Sequence, residues 1–221
     1  MQCIGTGLAV AGRAVCLGGD FIFGGEGLRT VQVFDEHRGA WFEGPRMPEA
    51  HVRPQAAEHG GCALAVLSDA LWRYDLRTPA WASVAPLTAP VPSTAAVAVV
   101  GDRLLVIGGY TTAGDITAAV RCFDLRAGRW EEAGAAGTPP PPPQPKSHFS
   151  AVTVGSEVWC VGGDMNRGRS TDIEIYSADT NAWRSGGCLP ELYSFDTSDG
   201  GMDDNGPVRH PGFAVCVEMG V

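Results

Sequence analysis

The chain has 221 residues and a formal charge of −9, and Lys146 is its single lysine. Phosphate backbones attract clustered cations, so scattered arginines on an acidic chain argue against nucleic acid or an anionic membrane as partner. Hydrophobic residues at 44% and charged residues at 19% suit a globular core, and no stretch nears the roughly 18 apolar residues of a membrane span.

Residues 1–5 lack the basic-then-apolar pattern of a secretory leader. The expectation is therefore a cytoplasmic protein. A strand-like piece at 3–10 could complete a blade with a strand from the far end. A first hairpin is expected from residues 14–17, a turn at Gly18-Gly19, and residues 21–23 ending in Gly24-Gly25. Val33-Phe34-Asp35 then leads through a polar turn to Trp41, and Gly44-Pro45-Arg46-Met47-Pro48 follows as a connection.

The second unit begins with the apolar run 62–67 and continues almost directly into Leu71-Trp72-Arg73-Tyr74-Asp75 and Trp81. It has no glycine pair, which predicts a three-stranded or irregular unit. The third unit is the most regular. Residues 96–100 and 104–107 flank a Gly101-Asp102 turn and end in Gly108-Gly109; Phe123-Asp124 and Trp130 follow. A proline run at 139–143, with Pro145, joins it to the fourth unit. That unit repeats the pattern with a Gly155-Ser156 turn, Gly162-Gly163, Tyr176 and Trp183, with Ser177 in the aspartate position.

In every unit the tryptophan stands seven positions after the aromatic residue. The steps from Trp41 to Trp81, Trp130 and Trp183 are 40, 49 and 53 residues. Two runs around a tight Gly turn read as a β-hairpin. Four short strands per 40 to 50 residues, repeated, are the mark of a propeller. Alternation is partial because inner strands covered on both faces need no polar side. Residues 186–208 are rich in Gly, Asp and Pro and read as a loop, and 209–221 read as the first strand of a fifth repeat.

These residues resemble the kelch-repeat family, on Gly24-Gly25, Gly108-Gly109, Gly162-Gly163, the four aromatics and the four tryptophans. The resemblance implies an all-β, kelch-type β-propeller with the fold of the galactose oxidase central domain. The expected domain is 1–221, with repeats at about 12–48, 55–87, 93–134 and 147–186 and a partial repeat at 209–221. Four blades and one strand point to an incomplete propeller, because unpaired edges are a liability.

The family resemblance implies a non-catalytic protein-interaction scaffold, such as the recognition part of a larger complex. On this chain the loops after the second strands, 110–115 and 164–169, are the expected binding surface. Tyr110, Asp115, Asp164, Met165, Arg167 and Arg169 are its candidate residues. Tyr and Arg are enriched at interaction hot spots. The proline run at 139–145 reads either as a stiff spacer or as a site for a polyproline-reading partner.

The competing reading is an enzyme or metal site at the channel mouth. His59, His148 and His210 each stand at the expected start of an innermost strand, and converging imidazoles bind metals. Family oxidases hold copper with Tyr, His and Cys; Tyr110, Tyr176, His148 and Cys160 are present, but no spacing singles them out. The acidic stretch 196–206 lacks the alternate spacing of a calcium loop. No nucleophile elbow, phosphate loop or zinc-protease motif occurs. The seven cysteines include no Cys-x-x-Cys pair, so free, buried thiols are expected. No metal, cofactor or catalytic residue is assigned.

Overall fold

Val, Ile and Leu are concentrated in runs of five, too short for a helix that packs alone and well suited to buried strands. The computed structural model describes residues 5–19, 27–68, 70–166 and 168–189. Gly24-Gly25, Arg167, His210, the acidic stretch and the strand expected at 209–221 lie outside them. The described secondary structure is all strand.

Four antiparallel sheets of four strands follow one another along the chain. The first holds β1 (Thr6–Val10), β2 (Arg13–Leu17), β3 (Val31–Asp35) and β4 (Ala40–Glu43). The second holds β5 (Gln55–His59), β6 (Cys62–Val66), β7 (Ala70–Asp75) and β8 (Ala80–Pro86). The third holds β9 (Ala96–Val100), β10 (Arg103–Ile107), β11 (Val120–Asp124) and β12 (Arg129–Trp130). In the fourth, β13 (Ser150–Val154) and β14 (Glu157–Val161) are followed by a two-stranded excursion, β15 (Asp164–Met165) and β16 (Gly168–Arg169). β17 (Asp172–Ser177) and β18 (Ala182–Cys188) complete the blade.

The innermost strands touch in succession, β1 to β5, β5 to β9 and β9 to β13. The sheets are thus blades of a β-propeller, stacked face to face. Three apolar clusters fill the gaps between them. Val33, Met47 and Tyr74 lie between blades 1 and 2, Leu71, Leu104 and Phe123 between blades 2 and 3, and Leu105, Cys160 and Tyr176 between blades 3 and 4.

Blade 2 corrects one expectation, because it has all four strands. A short link joins β6 to β7, closed by Leu67 N–H donating to the Ala70 carbonyl at 3.1 Å. The glycine pair is dispensable there because no long loop leaves β6. Blade 1 corrects another. Its hairpin turn is Ala11-Gly12, not Gly18-Gly19, and β1 is its inner strand, paired with β2 from Thr6↔Leu17 to Val10↔Arg13. Gly18 and Gly19 instead follow β2, with φ of +66° and +124°, as Gly108 (+64°) and Gly109 (+94°) follow β10. Both backbones turn there through the left-handed region that glycine tolerates.

The Asp after the aromatic in blades 1 to 3 has a local task. Asp35 Oδ1 accepts the N–H groups of His37 and Arg38, and Asp124 Oδ1 those of Arg126 and Ala127. These bonds fold the turn that brings the tryptophan back, a role suited to Asp. Ser177 does the same more weakly, at 3.4 Å from Thr180 N. At Asp75 the Arg77 side chain and N–H together hold the carboxyl down at about 2. A depressed carboxyl stabilises the fold above its unfolded-state pKa, and that contribution disappears as pH falls toward 2. An NMR titration should place the Asp75 midpoint near 2, and Arg77→Ala should raise it toward the ordinary range.

The signature tryptophans of blades 2, 3 and 4 each reach a carbonyl ahead of their own blade. Trp81 Nε1–H donates to Pro45 O at 3.1 Å, Trp130 to Pro86 O at 3.1 Å, and Trp183 to Pro140 O at 2.8 Å. The acceptor is in every case a proline at the end of the preceding blade or in the connection after it. Proline has no N–H to donate to a sheet, but its carbonyl accepts as any other does. Trp41 is 52% exposed, and among the described residues its ring contact is a tilted one with Phe34, at 5.4 Å. Trp130→Phe should cost about 0.5–1.5 kcal/mol, one hydrogen bond, and Trp41→Phe under about 0.5 kcal/mol; urea unfolding of the two variants checks this.

The proline run is part of this scheme. Pro139 and Pro142 are buried while Pro141 and Pro143 are exposed, a spacing of three that matches the polyproline II repeat. One edge of the run is therefore seated on the molecule, and Trp183 and Asn181 reach the carbonyls of Pro140 and Thr138. Cys62, Cys122 and Cys160 are buried free thiols, and Cys188 is an exposed one.

Candidate functional site

Every blade presents two ends. At one end lie the hairpin turns, such as Gly101-Asp102 and the β11–β12 turn, where Leu125 N–H bonds Asp102 O. At the other lie the loops after β10 and β14 together with the connections entering β9 and β13. This second end carries the candidate site.

The β9–β10 ladder runs on past both strands. Ser93 pairs with Tyr110 through N–H···O bonds of 2.8 and 2.7 Å. The equivalent pair in blade 4 is Ser147 with Asp164, at 2.9 and 2.7 Å. Tyr110 and Asp164 thus hold the same place in adjacent blades because the two glycine pairs deliver them there. Gly109 N–H also crosses to the Lys146 carbonyl at 2.8 Å, which fixes the connection of blade 4 against the loop of blade 3.

His148 joins the two positions. It has φ of +52°, and its N–H reaches Thr94 O at 3.2 Å. Its ring meets Tyr110 edge-on at 5.8 Å, and its Nδ1 lies 3.3 Å from an Asp164 carboxylate oxygen. The other Asp164 oxygen is 3.9 Å from Arg169 Nε. That last pair is exposed and worth little as a stabiliser; its charge is available to a ligand. Met165, beside Asp164, lines a shallow recess with Gln144, Pro145 and Asn166. A second recess stands in blade 3, between Pro90-Val91-Pro92 and Thr111, Thr117 and Arg121. Both lie between a second-strand loop and the connection entering the inner strand of the same blade.

Tyr110, Asp164, Met165 and Arg169 are therefore gathered on one face. Asp115 is exposed on the same loop as Tyr110, in a turn held by Thr111 N–H to Asp115 O at 2.9 Å, and is not tied to the cluster. Arg167 lies outside the described residues. The sequence did not single out Pro90, Val91 and Pro92, which wall the blade-3 recess. Only their position just ahead of an inner strand marks them.

The expectation for the histidines is corrected. His59 is the last residue of β5, paired with Cys62 at the hairpin turn. His148 precedes β13, at the opposite end of the inner strands. A five-residue strand separates the two ends by about 13 Å, so these imidazoles do not converge. Among the described residues no group of three His, Cys, Asp or Glu is placed to hold a metal. The copper-oxidase set falls into two pairs, Tyr110 with His148 on the loop face and Cys160 with Tyr176 in the apolar cluster between blades 3 and 4. The Tyr176 hydroxyl donates to Asn181 Oδ1 at 2.9 Å. Burial, with Glu174 adding, pushes the Cys160 thiol up to about 12.

A family model, the KLHDC2/KLHL20/DRC7 Kelch-repeats domain, matches residues 51–192. The chain belongs to the kelch-repeat family. This kelch chain is similar to Kelch-like protein 35 of Mus musculus, at 29% identity over 195 residues, covering 85% of the chain and 29% of that protein. Kelch-like protein 34 of Homo sapiens is 28% identical over 182 residues, 78% of the chain and 23% of the relative. Kelch repeat and BTB domain-containing protein 12 of Danio rerio is 29% identical over 140 residues, 56% and 21% respectively. The kelch chain spans less than a third of the length of these relatives. No helix among its described residues is long and apolar enough to cross a membrane.

Proposed function

We propose that this kelch chain is a non-catalytic, cytoplasmic scaffold that binds a protein partner through the loop face of blades 3 and 4. The carrying observation is the linked set Tyr110–His148–Asp164–Arg169, set between two recesses of like construction. An aromatic ring, a thioether, an exposed guanidinium and a carboxylate supply apolar contact, hydrogen bonds and charge without a nucleophile and its base. That mixture suits a protein surface. The relatives are several times longer than the matched segment, and one carries a BTB domain in its name. The face accordingly serves as the recognition part of a larger complex.

The test is quantitative affinity capture with the unaltered chain, with Tyr110→Ala/Met165→Ala, and with Arg126→Ala at the opposite end. A partner that docks on the loop face is lost at least about tenfold with the first variant, as expected for hot-spot truncation, and retained with the second. A partner lost equally with both, or only with Arg126→Ala, would place binding elsewhere.

A further inference from the structure

The three joints between blades are built alike. Alternate residues of a strand share a face, so each blade has an aromatic-bearing face and an aliphatic one. The aromatic-bearing face of one blade meets the aliphatic face of the blade before it. Its recurring positions are Ala63, Ala65 and Tyr74 in blade 2, and Val158, Cys160 and Tyr176 in blade 4, all buried. In blade 1 the same positions are Ala14, Cys16 and Phe34. Ala14 is exposed, and Cys16 and Phe34 are half-buried. Trp41, paired with Phe34, is exposed, whereas Trp81, Trp130 and Trp183 are half-buried. Polar Gln32 on this face is no bar to burial. Its counterpart in blade 4 is Glu174, which lies 3.2 Å from Lys146 Nζ inside the joint between blades 3 and 4. Blade 4 has the opposite gap. Val15 and Leu17, Leu64 and Val66, and Leu105 and Ile107 form the buried aliphatic side of the three joints. Trp159 and Val161 hold those positions in blade 4 and are only half-buried, as are Val152 and Val154 on β13.

Contact between inner strands runs from β1 to β5, β9 and β13, and among the described residues nothing comparable leads from β13 back to β1. Blades 1 and 4 thus carry the two halves of one more joint, which the described residues do not close. We infer that a second copy of this chain closes it. The aliphatic face of blade 4 in each copy seats on the aromatic-bearing face of blade 1 in the other. The contact is head-to-tail, and head-to-tail contacts form rings when the rotation closes. Two copies of four blades supply eight, within the four to eight with which propellers close. The occupant is a copy because the uncovered face has the form that accepts a blade in the other three joints, small or slim side chains beside an aromatic pair, and blade 4 offers the matching half. Apolar faces left uncovered in this way mark interaction sites. The loop face lies at the ends of the blades and takes no part, so the ring does not depend on partner binding there.

The experiment is sedimentation equilibrium of the full chain over a range of concentrations. The expected mass is twice the 23.1 kDa of one chain, without growth beyond two copies. Ala14→Arg on the blade 1 face and Val152→Arg on the blade 4 face should each weaken association at least about a hundredfold, because each places an uncompensated charge in the joint. Mixing the two variants should restore association in part, since the sound blade 4 of the first meets the sound blade 1 of the second. Far-UV circular dichroism checks that each variant is folded; Gln32→Arg and Val154→Arg replace either one that is not. A single-copy mass for the unaltered chain would overturn the inference. So would a dimer that both variants leave intact, a mass that keeps rising past two copies, or a mixture no heavier than its two components alone.

Discussion

Glu174→Ala is expected to lower the unfolding free energy by about 3–5 kcal/mol, the cost of leaving a buried charge without its partner. The Lys146 side chain is 2% exposed and that of Glu174 9%, so solvent screens the pair little. The remaining partner of the ammonium is one carbonyl, Asp172 O, which does not balance a full charge. The magnitude belongs to the orphaned lysine rather than to the pair. Lys146→Met/Glu174→Leu removes both charges and should recover most of the loss. Chemical denaturation of the three proteins separates these terms. If the double variant is no more stable than Glu174→Ala, apolar packing rather than charge explains the site.

Gly109→Ala is the second large effect. Two costs add there. The residue has φ of +94°, a region that costs a side chain about 1–3 kcal/mol. A Cβ would also come within 2.6 Å of Ser93 O and 2.7 Å of Ala95 N. Backbone cannot yield as a side-chain tip does, and overpacking adds about 1–3 kcal/mol. Gly128→Ala isolates the first cost, because Gly128 has φ of +65° and open space around its Cβ. The urea midpoint should fall clearly further for Gly109→Ala. Equal losses would mean that the close approach of the loop to the inner strand is not a constraint.

Much of this was legible in the sequence because the repeat imposes the same physics four times. The aromatic residue, the turn-folding Asp and the tryptophan recur at fixed spacing, and each now has a partner that explains it. Blade 2 was harder to read. Its missing glycine pair suggested a missing strand, yet a hairpin as short as the Leu67–Ala70 turn needs no such pair. Blade 1 offered two glycine pairs six residues apart, each after an apolar run. The deciding turn, Ala11-Gly12, holds alanine at φ of +48°, which composition does not announce. His59 was displaced for a separate reason: the run 62–67 is the second strand of blade 2, and the less apolar Gln55–His59 ahead of it is the inner one, so His59 ends that strand rather than entering it.

The site was legible in part. Tyr110, Asp164, Met165 and Arg169 follow glycine pairs, and their loop position could be counted from them. The link through His148 could not. It depends on a connection of 18 residues between Trp130 and Phe149 folding back so that His148 meets both loops. The buried role of Lys146 was equally hidden, because a lone lysine beside prolines reads as solvated chain.

The loop face is tested most directly by hydroxyl-radical footprinting of the complex with the partner recovered by capture. Met165 and Tyr110 are oxidisable, partly exposed reporters on that face, and Trp41 reports from the outer strand of blade 1. The account predicts that the partner slows oxidation of Met165 and Tyr110 several-fold and leaves Trp41 unchanged. Protection of Trp41 with Met165 and Tyr110 still reactive would contradict it.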